Sequence, residues 1–390
     1  MRVTFVSNYI NHHQIPISTV LYEKWGADYH FIQTEPMEEE RIRLGWNADN
    51  GKLPYLLQYA DEPEECKKII LESDIVIFGG TDDESYIQER LQSGKIVIRY
   101  SERLYKEGQW KAVSPRGLRK KYLDHTRYQN SQVYLLCAGG YVADDFEIIR
   151  AYRGKRFKWG YFPEFEESTE EERCMWKKSD TLQLLWAGRF IDWKHPKDVI
   201  VLAKRLKELG YVFTLTMAGG GELENDLKKY VSEHGLKECV KFTGFCKPEK
   251  IRELMKQAHI FFFTSDYKEG WGAVLNEAMN SGCAVIASHA IGAVPFLLKN
   301  KVNGLIYRSG DSEELFELTE CLIKDTELRE RLGAEAYKTI QEEWNPKKAG
   351  QALIELCESL KKGDFSFKES GPLSEAPVIK QKKMYKFLCK

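Results

Sequence analysis

The sequence predicts an α/β protein with two Rossmann-like, doubly wound parallel-sheet domains facing a cleft. Three observations support this prediction. Short apolar, β-rich runs alternate with amphipathic stretches from the first residue onward. The runs are almost wholly apolar, which is typical of parallel strands that helices cover on both faces. The alternation breaks at 163–180 and then restarts, which indicates two such domains in series.

The first domain is predicted to span residues 1–165. Its apolar runs predict strands at 3–7, 29–33, 74–78, 96–100, 133–137 and 158–162. Between them, amphipathic segments predict helices at 63–71, 86–93, 115–128 and 143–152.

A charged segment at 166–180 carries no clear strand signal and is predicted to be a linker. The second domain is predicted to span 181–345. Its strands are expected at 182–187, 214–218, 240–243, 260–264, 284–287 and 304–307. Its helices are expected at 196–209, 223–234, 248–257, 272–281 and 312–323.

The C-terminal part is predicted to contain a helix at about 346–361, with Pro346 at an early position. We expect this helix to pack back on the first domain and residues 363–390 to form a flexible basic tail. In 380–390, five lysines are interleaved with apolar residues. That mixture suits weak peripheral contact with an anionic membrane, and a solvated, disordered terminus is the alternative.

Composition excludes several classes of protein. With 58 Lys and Arg against 59 Asp and Glu, the net charge of −1 argues against nucleic acid as the main partner. The nine cysteines are scattered without a C-x-x-C pair, which argues against a disulfide framework or a zinc site. The N-terminus turns polar too early for a signal peptide, and no apolar run reaches the ~18 residues of a membrane span. We therefore expect a cytoplasmic protein.

Two loops in the second half could hold a phosphate group. Gly188 and Arg189 leave the strand 182–187, and Lys194 follows. Cationic side chains at the carboxyl end of a parallel strand are placed to hold phosphate charge, although a solvated basic loop is equally compatible. Gly219 lies in a run of three glycines, where a backbone can approach a ligand closely. A plain tight turn is the alternative there.

A third loop follows the apolar run IFFFTS and opens a helix. Free backbone N–H groups near Trp271, Gly272 and Ala273 suit a diphosphate. Glu269 precedes the helix and Glu277 lies inside it. Because a carboxylate accepts two hydroxyl hydrogen bonds at once, the two glutamates suit a ribose and a sugar ring. For Glu277 alone, an ordinary exposed helix glutamate is the alternative.

Together these loops resemble the family 4 glycosyltransferases of the GT-B fold. Their motifs occur in the family's order and spacing from about residue 182 to residue 311. The matching segments are the AGR loop with Lys194, MAGGGE, VKFTGF, the spacing Glu269-x7-Glu277 within EGWGAVLNEAMNSGCAVIAS, and NGLIY before Gly310 and Asp311.

The resemblance implies a role for each candidate residue in binding a nucleotide-sugar donor. Arg189 and Lys194 would bind the donor diphosphate, Glu277 the ribose hydroxyls and Glu269 the hydroxyls of the transferred sugar. The catalytic set would be Glu269, Arg189 and Lys194. Donor contacts through backbone or ring faces would come from Gly188, Gly219, Gly270, Trp271, Gly272 and Ala273, with Phe245 bordering the base.

The resemblance also implies retention of anomeric configuration without a metal ion or a further cofactor. The acidic pairs Asp82-Asp83 and Asp144-Asp145 fit helix starts better than a metal site. In the first domain the family pattern is weaker, since no histidine follows the strand 96–100. His12, His13 and Glu102 are candidates for that polar role, with a structural or solvent-facing role as the alternative.

The predicted function is therefore a retaining, metal-independent hexosyltransferase. It would move a sugar from a nucleotide diphosphate donor to a saccharide or lipid-linked acceptor in cell-surface polysaccharide assembly, with a UDP-sugar favoured as donor and a GDP-sugar as the alternative. Its expected location is the cytoplasm, with peripheral contact at the inner face of the membrane. A nucleotide-sugar 2-epimerase and a non-catalytic nucleotide-sugar-binding protein are the alternatives.

Overall fold

The computed structural model describes residues 1–39, 42, 53–380, 383, 385 and 386. The chain divides into two compact units. Unit 1 comprises Met1–Glu164 and Glu343–Lys380, and unit 2 comprises Phe165–Glu342 with the described residues of Gln381–Lys390. A membrane-spanning segment is absent from the described helices, because none combines the necessary length with sufficient hydropathy.

Unit 1 contains a seven-stranded, wholly parallel sheet. Its strands are β1 (Val3–Ser7), β2 (Tyr29–Gln33), β3 (Leu56–Gln58), β4 (Ile75–Gly79), β5 (Ile96–Ser101), β6 (Val133–Ala138) and β7 (Arg156–Trp159). Its helices up to this point of the chain include α1 (Ile15–Trp25), α2 (Pro63–Glu72), α3 (Ser85–Gln92), α4 (Pro115–Asp124) and α5 (Val142–Ile148). The order β3-β2-β1-β4-β5-β6-β7 is that of a doubly wound sheet.

Unit 2 contains a six-stranded parallel sheet. A short helix, α6 (Glu170–Trp176), precedes its strands β8 (Leu182–Ala187), β9 (Phe213–Ala218), β10 (Val240–Gly244), β11 (Ile260–Phe263), β12 (Ala284–Ser288) and β13 (Leu305–Tyr307). The helices that follow α6 are α7 (Pro196–Glu208), α8 (Glu224–Glu233), α9 (Pro248–Gln257), α10 (Val274–Asn280), α11 (Val294–Leu297), α12 (Ser312–Lys324) and α13 (Thr326–Glu342). The strand order is β10-β9-β8-β11-β12-β13, so β8 and β11 are neighbours at the point where the winding reverses.

The central strands of both sheets are buried along their length. Every residue of β1, β4, β11 and β12 is buried. A strand covered by helices on both faces requires such continuous apolar sequence. The predicted fold class, two α/β domains with parallel sheets, is confirmed.

The segment predicted as a linker contains helix α6. Thr169 accepts a hydrogen bond from the backbone N–H of Glu172, and the Glu172 carboxylate accepts one from the backbone N–H of Thr169. This capping box satisfies two N–H groups that a helix start would otherwise leave unpaired. The segment is therefore not wholly irregular.

The helix α14 (Pro346–Lys361) packs against α1 in unit 1. A side chain at Gly350 would bring its Cβ within 2.6 Å of the Val20 Cγ1 atom, so the two helices approach closely there. Lys24 and Glu358 form an ion pair of 3.1 Å across the same contact.

The residues after α14 differ from the predicted flexible tail. The backbone N–H of Lys158 in β7 donates to Ser374, and the N–H of Ala376 donates to the carbonyl of Arg156, at 2.8 and 3.0 Å. Leu373, Ala376 and Ile379 are buried. We call residues 364–380 the C-terminal strap; it covers the edge strand β7, whose backbone would otherwise be unpaired on that side.

The basic end of the chain lies only partly within the described residues. Residues 381, 382, 384 and 387–390 are outside them, so the predicted membrane contact of 380–390 falls largely on undescribed residues. Tyr385 is described, and its hydroxyl donates a hydrogen bond to the Glu314 carboxylate within unit 2.

A chain ending at Gly363 should be less stable than the full chain, because it loses the strap and exposes the edge of β7. Full burial of an apolar side chain is worth about 1.5–3 kcal/mol, so we expect a loss of about 3 kcal/mol or more from unit 1. Calorimetric unfolding measures it. A chain ending at Lys380 is the control and should unfold like the full chain. Equal stability of the two shortened chains would contradict this assignment.

Candidate functional site

The candidate site of unit 2 lies where its strand order reverses. Loops that follow β8 and β11 leave the carboxyl ends of adjacent strands at this point. In doubly wound sheets such a reversal opens a crevice in which ligands bind. The candidate residues Gly188, Arg189, Lys194 and Glu269 all lie on these two loops.

Close backbone contacts fix the loop after β8. The N–H of Gly188 donates to Ala218 at 2.9 Å, and the N–H of Phe190 donates to Gly220 at 2.8 Å. A Cβ at Gly219, whose φ is +133°, would lie 1.9 Å from the Gly188 carbonyl oxygen. Only glycine fits at 219, so this glycine is explained by the packing of the two loops.

Phe245 follows β10 and stands beside the glycine loop. Its side chain is 57% exposed, and a Cβ at Gly220 would lie 2.8 Å from the Phe245 ring. An exposed aromatic ring at a strand end offers a flat apolar surface to a ligand.

The loop after β11 is held to the loop after β8 by hydrogen bonds. The Thr264 hydroxyl accepts from the Trp186 indole N–H at 2.9 Å and donates to the Lys194 carbonyl at 2.6 Å. The backbone N–H of Asp266 donates to the Trp193 carbonyl at 2.9 Å. Thr264 and Asp266 were not predicted as site residues. Their position as polar residues directly after an apolar strand was the signal that could have identified them.

Lys194 and Glu269 form an ion pair at the centre of this arrangement. The Lys194 Nζ atom lies 2.6 Å from the Glu269 Oε2 atom, and the two side chains are only 12% and 11% exposed. The Ser265 hydroxyl donates to the same carboxylate oxygen at 2.9 Å. The structure therefore brings together a cation and a carboxylate that the sequence analysis assigned to different parts of a donor.

Arg189 is placed differently from Lys194. Its side chain is exposed, and its guanidinium carbon lies 6.0 Å from the centre of the Trp193 ring. The two predicted phosphate-binding cations are thus on one loop, with one held by Glu269 and the other at the surface.

The segment from Gly270 to Ala273 is irregular, and α10 begins only at Val274. The predicted helix start at 272 is wrong because Gly272 has a φ of +90°, which no helix allows. A Cβ on it would lie 2.4 Å from the Phe263 ring. The Trp271 side chain is buried and donates its indole N–H to Asn276 at 2.8 Å.

Glu277 lies in the first turn of α10 and is buried, with 7% exposure. Burial raises the pKa of Glu277 to about 7, and the charge of Arg252 opposes that rise only partly. In the part of the chain that the structure describes, no group donates a hydrogen bond to its carboxylate. An exposed helix glutamate, the alternative considered from the sequence, is therefore excluded for Glu277.

His289 follows β12 and was not among the predicted residues. Its Nδ1 atom accepts from the Ser309 N–H at 3.0 Å, so its Nε2–H donates to the Tyr267 hydroxyl at 2.7 Å. Burial lowers the pKa of His289 to about 4, so it is neutral at physiological pH. It supports the loop that carries Glu269 through Tyr267.

The three candidate residues of unit 1 lie near Tyr161. The His13 ring stacks on the Tyr161 ring at 5.8 Å, and the His12 ring lies 3.7 Å from that of His13. The Tyr161 hydroxyl donates to the Glu102 carboxylate, which also accepts from Lys106. Burial raises the pKa of Tyr161 well above its usual value. His13 and Glu102 are thus joined by one tyrosine.

Comparison with known proteins gives a consistent result. Residues 168–339 match the family model described as Glycosyl transferases group 1. The chain is 29% identical over 184 residues to the amylovoran biosynthesis glycosyltransferase AmsK of Erwinia amylovora, covering 46% of this chain and 45% of AmsK. It is 28% identical over 218 residues to the uncharacterized glycosyltransferase MJ1069 of Methanocaldococcus jannaschii, covering 56% and 54%. The chain spans about half the length of the curated relatives it matches.

Among solved structures, Anabaena Alr3699/HepE in complex with UDP has a TM-score of 0.69 at 15% identity. That match covers 92% of this chain and 100% of the other. The same protein has also been solved in complex with UDP-glucose, with a TM-score of 0.66 to this chain at 16% identity. By its motifs, the segment 168–339 belongs to the glycosyl transferases group 1 family, and the chain as a whole has a GT-B-like architecture.

Proposed function

We propose that the protein is a retaining glycosyltransferase that moves a hexose from a nucleotide diphosphate donor, with a UDP-sugar favoured, to a hydroxyl group of a saccharide or lipid-linked acceptor. The observation that carries the proposal is the ion pair of Lys194 and Glu269 at the reversal point of the unit 2 sheet. In this proposal Lys194 would be the phosphate-binding cation and Glu269 the hydroxyl-binding carboxylate, and such groups are suited to these ligands.

The relatives support the choice of donor and process. AmsK is named for amylovoran biosynthesis, and Alr3699/HepE has been solved with UDP and with UDP-glucose. For this chain we accordingly propose a UDP-sugar donor and a role in cell-surface polysaccharide assembly at the cytoplasmic face of the membrane.

Donor binding would exchange the partners of Lys194. Its ammonium group now bonds Glu269 at 2.6 Å, and a diphosphate entering the crevice would share that cation. Glu269 would then accept hydrogen bonds from the hydroxyls of the transferred sugar. Arg189, which is exposed on the same loop as Lys194, would turn towards the phosphates. The backbone from Gly270 to Ala273 would contact the sugar.

In the proposed reaction, negative charge develops on the leaving diphosphate. The bond between the sugar C1 atom and the β-phosphate oxygen breaks, and the acceptor oxygen bonds to C1 on the same face. The acceptor proton passes to the departing phosphate oxygen. Arg189 and Lys194 would stabilise that leaving diphosphate, a contribution that fixed charges supply most effectively when they are positioned beforehand.

Glu277 would bind the ribose. Its buried carboxylate has no described protein donor, and two ribose hydroxyls would supply the missing hydrogen bonds. Such binding would compensate for the unfavourable burial of the carboxylate.

The roles of Lys194, Arg189 and Glu269 can be separated by substitution. Lys194→Ala and Arg189→Ala should each lower transfer from a UDP-sugar by about 100-fold or more, the scale of losing one charge-stabilising donor. Glu269→Gln should lose transfer while UDP, measured by calorimetry, still binds. Lys229→Ala, at an exposed position on α8, is the control and should change neither transfer nor UDP binding. An equal loss of UDP affinity in Glu269→Gln and Lys194→Ala would contradict the assignment of Glu269 to the sugar.

The burial of Glu277 predicts a pH-dependent stability. Unfolding restores its ordinary pKa of about 4.3, so the unfolded chain releases a proton at lower pH than the folded protein. Stability should therefore fall as pH rises between that value and about 7, by about 3 to 4 kcal/mol. Glu277→Gln cannot ionise and should lack this loss.

Unfolding free energies of the two proteins at about pH 4 and about pH 8 measure the difference. Glu233→Gln, at an exposed position on α8, is the matched control. The expected result is a Glu277→Gln variant that gains stability relative to wild type at the higher pH and binds UDP more weakly. A variant that follows the wild-type pH profile would show that Glu277 is not buried as a neutral acid.

A further inference from the structure

A second pair of oppositely charged groups joins the two loops of the candidate site. His195 directly follows Lys194 in the loop after β8, and its Nε2 atom lies 3.7 Å from the Oδ2 atom of Asp266 in the loop after β11. Asp266 stands three residues before Glu269 in the chain. Two consecutive residues of one loop therefore face two carboxylates of the other loop.

His195 has a backbone conformation that is unfavourable for a residue with a side chain. Its φ and ψ angles are +48° and +47°, in the left-handed region. In that region the Cβ atom is crowded by the backbone, so residues other than glycine occupy it where surrounding contacts hold them. The Thr264 hydroxyl lies 3.2 Å from the His195 carbonyl oxygen, and the buried Pro196 opens α7 immediately after it. These neighbours fix the backbone from which the imidazole extends.

Asp266 contacts both loops through its backbone and its side chain. Its N–H donates to the carbonyl of Trp193 at 2.9 Å, which connects it to the loop after β8. Its Oδ1 atom accepts from the N–H of Lys268 at 2.8 Å, and its carbonyl accepts from the N–H of Glu269 at 3.1 Å. An attraction between Asp266 and His195 therefore acts on both loops at once.

The charge of His195 changes with pH near neutrality. The charged side chains that neighbour it are Asp192 and Lys194 in the 3-10 turn before it, Lys197 and Asp198 in α7, and Asp266 in the loop after β11. Asp266 raises the pKa of His195, burial opposes this rise, and the charge of Asp198 adds to it. His195 is therefore charged at slightly acidic pH and loses its charge as pH rises above the ordinary histidine pKa of about 6.5.

We propose that protonated His195, paired with Asp266, is a positioning residue that holds the loop of Lys194 in place for donor binding. The inference rests on the proposed function, because it assumes that Lys194 binds the donor diphosphate. When the diphosphate draws Lys194 away from Glu269, the pair of His195 and Asp266 still joins the two loops. A neutral imidazole leaves the loops without this second attraction.

Donor binding should therefore weaken as pH rises. The contribution of the pair is fully present below the ordinary histidine pKa of about 6.5 and is lost as pH rises through the raised pKa of His195. The two side chains are 35% and 29% exposed, so solvent screens their attraction. A pair of this kind changes an equilibrium constant by about two- to fivefold.

Binding of UDP-glucose to the full chain and to His195→Gly, measured by calorimetry, tests the proposal. Glycine adopts the left-handed conformation readily and carries no charge. The dissociation constant of His195→Gly should exceed that of wild type by about two- to fivefold at about pH 6 and should equal it at about pH 8.5. Both proteins contain Glu277, so its titration cancels in the ratio of the two constants. His234→Gln, at a half-buried position after α8, is the matched control and should bind as wild type at both pH values.

Asp266→Asn distinguishes a pair from a cation that acts on the ligand by itself. Asparagine can still accept the hydrogen bond from the N–H of Lys268, but it carries no charge. In the Asp266→Asn background, His195→Gly should change the affinity for UDP-glucose no further, since the two groups act as one unit. A full effect of His195→Gly in that background would overturn the proposal.

Hydrogen exchange of the ligand-free protein separates this inference from the proposed function. The Asp266 N–H, which donates to Trp193 across the two loops, should exchange faster in His195→Gly than in wild type at about pH 6 and equally fast at about pH 8.5. If this holds but UDP-glucose binds at neither pH, the donor assignment fails and the pairing of the loops stands. If UDP-glucose binds with the same ratio of constants at both pH values, the proposed function stands and the role of His195 is overturned.

Discussion

The candidate site depends on the ion pair between Lys194 and Glu269. It joins two loops that leave neighbouring strands but lie 75 residues apart in the chain. The Thr264 hydroxyl donates a hydrogen bond to the backbone carbonyl of Lys194, and the Ser265 hydroxyl donates one to the carboxylate of Glu269. Because both charged side chains are largely removed from water, loss of either would leave the other as a poorly solvated charge. The pair therefore fixes the position of the two loops relative to each other.

Glu277, unlike the ion pair, lowers the stability of the protein at neutral pH. Its burial opposes ionisation and costs stability at neutral pH, and the charge of Arg252 compensates for this only partly. A residue that destabilises the free protein at this position is understandable if a ligand supplies the missing hydrogen bonds. Natural proteins commonly give up some stability at a binding site in this way. In the proposed function, the buried carboxylate and the ion pair would each contact a different part of one polar ligand.

The strands and most site loops could be predicted because their signals are local. Apolar runs followed by Gly188, Arg189 or Glu269 define strand ends from the sequence alone. The short edge strand β3 and the strap contacts could not be predicted, since both depend on pairing with a distant strand. Helix α13 was missed although Leu332, Ala336 and Ile340 repeat at four-residue spacing, which was a usable signal. The hydrogen bonds of Thr264 join segments about 70 residues apart, and no sequence pattern encodes them.

The most direct test of the account is a double-mutant cycle on Lys194→Met and Glu269→Gln, scored by unfolding free energy with and without saturating UDP. Without UDP, the account predicts a favourable coupling of about 1 to 3 kcal/mol, since truncating one partner of a poorly solvated pair leaves the other uncompensated. With UDP, the coupling should fall towards zero because the diphosphate takes over the lysine. A coupling that is absent without UDP, or unchanged when UDP is bound, would contradict the claim that Lys194 exchanges Glu269 for the diphosphate of a sugar nucleotide.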